Sequence, residues 1–274
     1  MSTTTATLGP LAELKAKQQL IWSSGDYNKI AAITVPVAES LVVHAEVGAG
    51  DRVLDVATGT GHAALAAARR SAVVTGIDYV PRLVEIARRR ASAEDLTVEF
   101  EEADAENLPF DNDSYDTVLS AIGVMFTADH ARAAGELLRV VRPGGRLGLA
   151  SWTPTGFVGQ ILKTVSRHVP PPPMAQSPAR WGTEETLREL FGAHTAEISL
   201  VTESVTQRFA SPAAFTDLFL NYYGPTHMAA RRLSDEGREA LRHDLIALAA
   251  AANRENDGTF VTDWEYLVAI LVKR

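Results

Sequence analysis

The 274-residue chain contains no cysteine, which excludes disulfides and thiolate-bound metals. It has no cationic surplus either: 34 Asp and Glu against 26 Lys and Arg leave a formal charge of −8. A nucleic-acid surface needs a basic stripe, and the short clusters Arg88-Arg89-Arg90 and Arg231-Arg232 sit beside acids and read as solvated helix faces. Long apolar runs are missing. The longest in the C-terminal half, Leu245 to Ala252, falls far short of the roughly 18 residues that span a bilayer. The opening residues, Met1-Ser2-Thr3-Thr4-Thr5, lack the basic-then-apolar layout of a secretory signal, so a cytoplasmic location is expected. No repeat is visible, and the histidines and acids show no metal-ligand spacing. What remains, 46% apolar and 22% charged residues, is ordinary globular usage.

The most informative stretch runs from Val53 to His62, Val-Leu-Asp-Val-Ala-Thr-Gly-Thr-Gly-His. Apolar residues around one acid read as a buried parallel strand. A glycine turn follows, and then an alanine-rich helix. Glycines at 59 and 61 let the backbone turn tightly, and the helix N-terminus offers unpaired N–H groups to a polar ligand. The pattern leaves the ligand open. Ala64 completes a G-x-G-x-x-A form and Asp78 stands roughly 20 residues on, as a nicotinamide dinucleotide requires. Asp55, still inside the strand, argues otherwise, because it would repel a pyrophosphate there and suits a ligand with a positive group.

Four further stretches accompany this one in order: Val74-Thr75-Gly76-Ile77-Asp78, Asp104 to Phe110, Tyr115 to Ser120, and Glu136 to Gly145. With them the chain resembles the class I S-adenosylmethionine-dependent methyltransferases. Within that family it is similar to the small-molecule branch that includes the ubiquinone and menaquinone enzymes. The resemblance is close over residues 45–152 and loose in the flanks. It implies S-adenosylmethionine as cofactor, S-adenosylhomocysteine as product and a small-molecule acceptor. The absence of cysteine excludes the arsenite methyltransferases, whose chemistry needs thiols.

The expected fold is α/β: a Rossmann-like, seven-stranded, mostly parallel sheet with helices on both faces. Strands are expected at Arg52–Val56, Val73–Asp78, Thr97–Glu101, Thr117–Ala121, Arg146–Trp152, residues 195–209 and Trp264–Val272. The division is a helical lid over 1–45, a cofactor core over 46–152 and a remainder over 153–274. That remainder completes the sheet and carries a helical substrate cap at about 211–256. Residues 1–10 are expected to be unstructured. A helix covers Leu11 to Leu20, a second runs from Asn28 to Ala45 with its stripe interrupted at Pro36, and Thr183, Ser211 and Ser234 serve as N-caps.

The resemblance assigns cofactor contacts to Trp22, Tyr27, Asp55, Ala57, Gly59, Gly61, Asp78, Tyr79, Asp104, Ala105 and Ser120. Asp55 serves the ammonium side or its own turn. Asp78 accepts both ribose hydroxyls or caps the helix at Pro81, and Asp104 with Ala105 reads adenine. Ser120 offers its carbonyl to the methionine portion, while Trp22 and Tyr27 belong to the lid. His62 would cap the turn or touch the cofactor. A base near the acceptor would be His130, His227 or Tyr27. Phe126, Phe219, Tyr222 and Tyr223 form an aromatic set suited to a hydrophobic or aromatic acceptor, whether its reacting atom is oxygen, nitrogen or carbon. The other readings are an S-adenosylmethionine-binding regulatory protein and a nicotinamide oxidoreductase. The latter leaves Asp55 and Asp104 without a role.

Overall fold

A computed structural model describes residues 9–274. Seven strands form one sheet: β1 (Arg52–Val56), β2 (Val73–Asp78), β3 (Val98–Glu102), β4 (Tyr115–Ala121), β5 (Val141–Trp152), β6 (Thr195–Phe209) and β7 (Phe260–Lys273). Their order is β3-β2-β1-β4-β5-β7-β6. β7 runs antiparallel to both of its neighbours, and every other pairing is parallel. Val53, Leu54 and Val56 of β1 are wholly buried, as befits a central parallel strand covered on both faces.

Chain order reverses direction between β1 and β4, which pair directly. The crevice beyond the carboxyl ends of these two strands is the place where open α/β sheets take ligands. The short helix α4 (His62–Ala68) leaves β1 at that crevice, and α5 (Pro81–Ala93) leaves β2 beside it. The strand expected from Arg146 extends back to Val141, through Pro143-Gly144-Gly145. A register shift between Tyr115 and Thr117 absorbs the extra residues, the setting in which a sheet tolerates proline. The last strand likewise begins earlier than expected, at Phe260.

Three segments precede β1: α1 (Pro10–Ser23), α2 (Tyr27–Ala31) and, after a 3-10 turn at Ala32–Thr34, α3 (Val35–His44). The helix expected from Asn28 to Ala45 is therefore two helices. Pro36 sits in the first turn of α3, where its missing N–H is not needed. The expectation of an unstructured 1–10 falls on residues outside those described, except that Pro10 already opens α1. α3 belongs to the core, with Val37, Ala38, Leu41 and Val42 buried and Leu41 lying against Gly148 of β5.

β5 is followed by α6's partner layer and the cap region. α6 (His130–Val140) precedes β5, and α7 (Phe157–His168) and α8 (Glu184–Phe191) follow it. Between β6 and β7 stand α9 (Pro212–Tyr222), α10 (Gly224–Arg232) and α11 (Asp235–Ala251), the expected insertion. Thr183, Ser211 and Ser234 each accept a hydrogen bond from a backbone N–H three residues on, the N-cap geometry their sequence positions imply. Asp129 does the same for α6. α9 packs on the β6–β7 hairpin through Phe215 and Phe219, whose rings contact Trp264 and Phe260. Trp22 of α1 meets Tyr223, between α9 and α10, at 5.9 Å between centroids. α1 and the α9–α10 junction thus meet beside the crevice. No described helix is long and apolar enough to cross a membrane.

Candidate functional site

The crevice holds an open cavity, about 960 Å³ counting the solvent space at its mouth. Its floor is the turn after β1. Gly59 has a left-handed backbone (φ +55°), and a side-chain carbon there would stand 3.5 Å from Cε1 of Tyr27. Gly61 is also left-handed (φ +87°), but a carbon there would press on Ala87 and Phe100 at 3.1 Å. Gly59 therefore keeps the cavity open, whereas Gly61 lets α4 pack on α5 and β3. Gly61 is not among the residues lining the cavity.

Two buried carboxylates secure this floor. Asp55 Oδ2 accepts from Thr58 Oγ1 at 2.5 Å and from the Ala64 N–H at 2.9 Å. Asp78 accepts from the Gly59 N–H through one oxygen and from the Val80 N–H through the other, both at 2.9 Å. Asp78 thus ties the turn after β1 to the turn after β2. Burial raises the Asp55 carboxyl to about 7, against the pull of its Thr58 and Ala64 hydrogen bonds. Burial also raises Asp78 to about 6, opposed by bonds from Val80 and Gly59. Each oxygen retains unused acceptor capacity, so both acids can still meet donors or positive charge in the cavity.

Arg90 of α5 buttresses the turn from behind, donating to the Thr60 carbonyl at 2.6 Å and to His62 Nδ1 at 2.9 Å. Burial and then the Arg90 charge lower His62 to about 3, so it lines the cavity as a neutral ring. Ala57 and Ile122, at the ends of β1 and β4, both have φ +55°. Such strain in residues with a side chain, and above all in a β-branched one, concentrates at functional sites. Ile122 lines the cavity as Ala57 does, and nothing in its sequence context marks it.

The opposite wall comes from α1. Lys15 Nζ sits 2.6 Å from Asp104 Oδ2 and 2.6 Å from Glu106 Oε2, while Gln19 donates to the Tyr79 carbonyl at 2.5 Å. Glu106, buried, also accepts from the N–H groups of Ala128 and Asp129. α1 is thereby latched to the loops after β2 and β3. Trp22, Tyr27, Asp55, Ala57, Gly59, Asp78, Tyr79, Asp104, Ala105 and Phe126 all line the cavity. Lys15 and Glu106 join them. Lys15 carried no sequence signal beyond its place in an amphipathic helix.

A smaller apolar chamber of about 300 Å³ adjoins the cavity and shares Trp22, Tyr27, Thr34, Ile122 and Phe126 with it. Phe219, Tyr223, Trp152 and Trp264 complete its wall. The two tryptophans were not expected there, although both sit at strand ends nearest the crevice. Trp22 meets Phe126 edge-on at 4.9 Å and Tyr27 at 5.3 Å, so the lid and the β4 loop interlock.

Ser120 is buried, its hydroxyl donating to the Val56 carbonyl and accepting from the Val124 N–H, whereas the expectation concerned its main-chain carbonyl. Three expected residues line neither space. Tyr222 turns outward under Lys29, whose ammonium stands 4.0 Å from the ring. His130 opens α6 against Trp181 at 5.6 Å, lowered to about 4 chiefly by burial. His227 bonds through Nδ1 to the Leu220 carbonyl at 3.0 Å. Neither histidine lines the cavity or the chamber. α6 and α10 place them in helix packing instead.

A family profile described as "Methyltransferase domain" matches residues 53–145, the strands and turns that build the cavity floor. The chain is 39% identical over 264 residues to an uncharacterized protein of Mycobacterium tuberculosis, covering 95% of this chain and 96% of the relative. It is 41% identical over 124 residues to a demethylmenaquinone methyltransferase of Deinococcus radiodurans, covering 44% of this chain and 52% of that enzyme. An S-adenosylmethionine-dependent methyltransferase structure from Thermotoga maritima superposes with a TM-score of 0.55, over 94% of this chain and all of that one, at 17% identity. The chain belongs to the class I S-adenosylmethionine-dependent methyltransferases.

Proposed function

We propose that the cavity holds S-adenosylmethionine and that the adjoining chamber receives a small, hydrophobic or aromatic methyl acceptor. The observation that carries this reading is the join between the two spaces. A polar floor with two buried carboxylates opens, across Trp22, Tyr27 and Phe126, into a wall of aromatic rings. The residues fit the cofactor's chemistry. Gly59 leaves its backbone bare, Asp55 and Asp78 keep lone pairs for an ammonium group and ribose hydroxyls, and Asp104 with Ala105 stands where an adenine amine and ring nitrogen would be read.

S-adenosylmethionine, when bound, would supply an activated sulfonium methyl group. The chain's contribution is positioning and exclusion of water. α1, latched by Lys15 and Gln19, covers the cavity. Burial, and then the Asp78 charge, push the Tyr27 hydroxyl far up, so it remains protonated and donates hydrogen bonds rather than removing protons. Residues 10–31 form the lid, 46–152 the cofactor core and the β6–β7 insertion the cap.

The direct test is transfer of a labelled methyl group from S-adenosylmethionine to a panel of quinones, phenols and polyketides, set against amines and carboxylates. Labelled product from the uncharged aromatic members supports the reading. Turnover confined to charged, aliphatic acceptors would overturn it.

A further inference from the structure

Arg90 is a half-buried cation without a counter-ion. Its hydrogen bonds go to the Thr60 carbonyl at 2.6 Å, the Thr60 hydroxyl at 3.2 Å and His62 Nδ1 at 2.9 Å. Glu94, whose charge reaches it, pairs with Arg69 instead, at 2.6 Å. No carboxylate pairs with Arg90 among the described residues. A cation partly withdrawn from water and left without an anion costs free energy, which an anion from outside the chain would offset. The cavity in front of it is charged the other way. Among the described residues its lining holds four acids, Asp55, Asp78, Asp104 and Glu106, and of basic side chains only Lys15 and His62. Lys15 is committed to Asp104 and Glu106 at 2.6 Å each. His62 has no acid beside it, only Arg90 at its back.

We infer that His62, with Arg90 behind it, forms the anion end of the cavity and takes the carboxylate of the cofactor's amino-acid group, an inference that rests on the methyl-transfer reading. The tautomer follows from donor chemistry. A guanidinium can only donate, so His62 Nδ1 accepts, and the neutral ring carries its proton on Nε2. The acceptors around that ring are weak ones. Thr60 Oγ1 stands 3.3 Å from Nε2, longer than a good hydrogen bond, and the Ala31 carbonyl is uncharged. A carboxylate makes the stronger bond. Because His62 lines the cavity and Arg90 does not, the ring stands between the guanidinium and the ligand space. Arg90 is thereby a positioning residue, whose charge polarises the imidazole N–H, and His62 is the group that touches the ligand. The ammonium partner is close by in the chain. Asp55 accepts from the Ala64 N–H, in the first turn of the helix that His62 opens. An acid and a donor thus meet at one turn, as the ammonium and carboxylate of an α-amino acid share one carbon.

The test is calorimetric titration of the full chain with three ligands that share one nucleoside. They are S-adenosylhomocysteine, its decarboxylated counterpart with an aminopropyl chain, and methylthioadenosine, which lacks the amino acid altogether. The proteins are unaltered, Arg90→Met and His62→Phe. Each variant should weaken S-adenosylhomocysteine by roughly 10- to 100-fold, the range for a hydrogen bond to a charged group, and change the other two ligands by no more than about twofold. Arg90→Met keeps the packing of the side-chain stem and carries the test if His62→Phe fails to fold. Equal weakening of all three ligands would make Arg90 a mere brace for the turn and overturn the inference, as would unchanged S-adenosylhomocysteine binding in both variants. The unaltered protein reports separately on the cofactor. Binding of none of the three ligands removes the methyl-transfer reading and this inference with it. Binding of all three, with no loss confined to the carboxylate-bearing one, removes this inference alone.

Discussion

The floor of the cavity and the wall of the chamber are made by opposite means. On the floor the buried polar groups already bond within the protein. Asp55 and Asp78 hold backbone N–H groups of the turns they border, and Arg90 holds the Thr60 carbonyl. In the chamber the rings are packed but two polar atoms are unused. The floor is a preorganised frame whose geometry exists before any ligand arrives. A frame of that kind suits a shared cofactor, and a wall of rings suits a particular acceptor.

The sharpest way to break this division is at Gly59. Gly59→Val puts a β-branched side chain at φ +55° and against Tyr27, so binding of S-adenosylhomocysteine should fall by more than about a hundredfold by calorimetry, given the strain and the lost space. Circular dichroism should show the sheet intact, and retained binding would place the ligand elsewhere. Asp78→Ala comes next. It strips the partner from two backbone N–H groups, and cofactor affinity should drop by roughly 1–3 kcal/mol, the cost of charge-assisted hydrogen bonds. An unchanged dissociation constant would remove Asp78 from the cofactor's reach.

A pH series sharpens the same contrast with a smaller effect. Asp55 and Asp78, at about 7 and about 6 against an ordinary 3.8, bind protons more tightly in the fold than in the unfolded chain. Their contribution to stability is therefore fully present below pH 3.8 and fades as pH rises through 6 to 7. Melting temperatures should record that decline, and Asp55→Asn should make it shallower than in the unaltered protein. Cofactor binding runs the other way. A cationic ligand favours the ionised carboxylates, so S-adenosylmethionine affinity should rise about tenfold between pH 5.5 and 8, with protons released. A flat profile would mean that neither acid faces the charge.

The smallest effect belongs to the latch. Lys15→Met removes a half-exposed ammonium shared by Asp104 and Glu106, and such pairs are worth about 1 kcal/mol or less. The fold should melt within a few degrees of the unaltered protein, while trypsin should cleave at Lys17 several times faster as α1 lifts. Unchanged proteolysis would show that Gln19 and the Trp22 packing hold α1 unaided.

The same contrast decides what could be read from the chain. The strand-turn-helix after Val53 was legible because its chemistry is local: an acid, two glycines and an alanine helix lie within a dozen residues, and Asp78 ends the next strand. Even so, spacing did not separate Gly59 from Gly61, which differ only in what a side chain would strike. The cap's existence and its serine caps were legible from turn chemistry. The chamber was not, because Trp22, Phe126, Trp152, Trp264 and the pair Phe219 and Tyr223 come from five separate places in the chain. Tyr222 and Tyr223 illustrate the limit. Adjacent and identical in the sequence, they differ because α9 ends between them: Tyr222 is its last residue, half-buried under Lys29, and Tyr223 caps it and is buried. The histidines misled for a related reason: position near the right sheet edge says nothing about which way a ring is packed.

The division between frame and wall is tested most directly by titrating S-adenosylhomocysteine into three proteins: unaltered, Gly59→Val and Tyr223→Phe. Affinity lost in the first variant and kept within about twofold in the second is the expected result, because Tyr223 lies outside the cavity's lining. Equal loss in both variants would contradict it, and would mean that cofactor and acceptor share one undivided site.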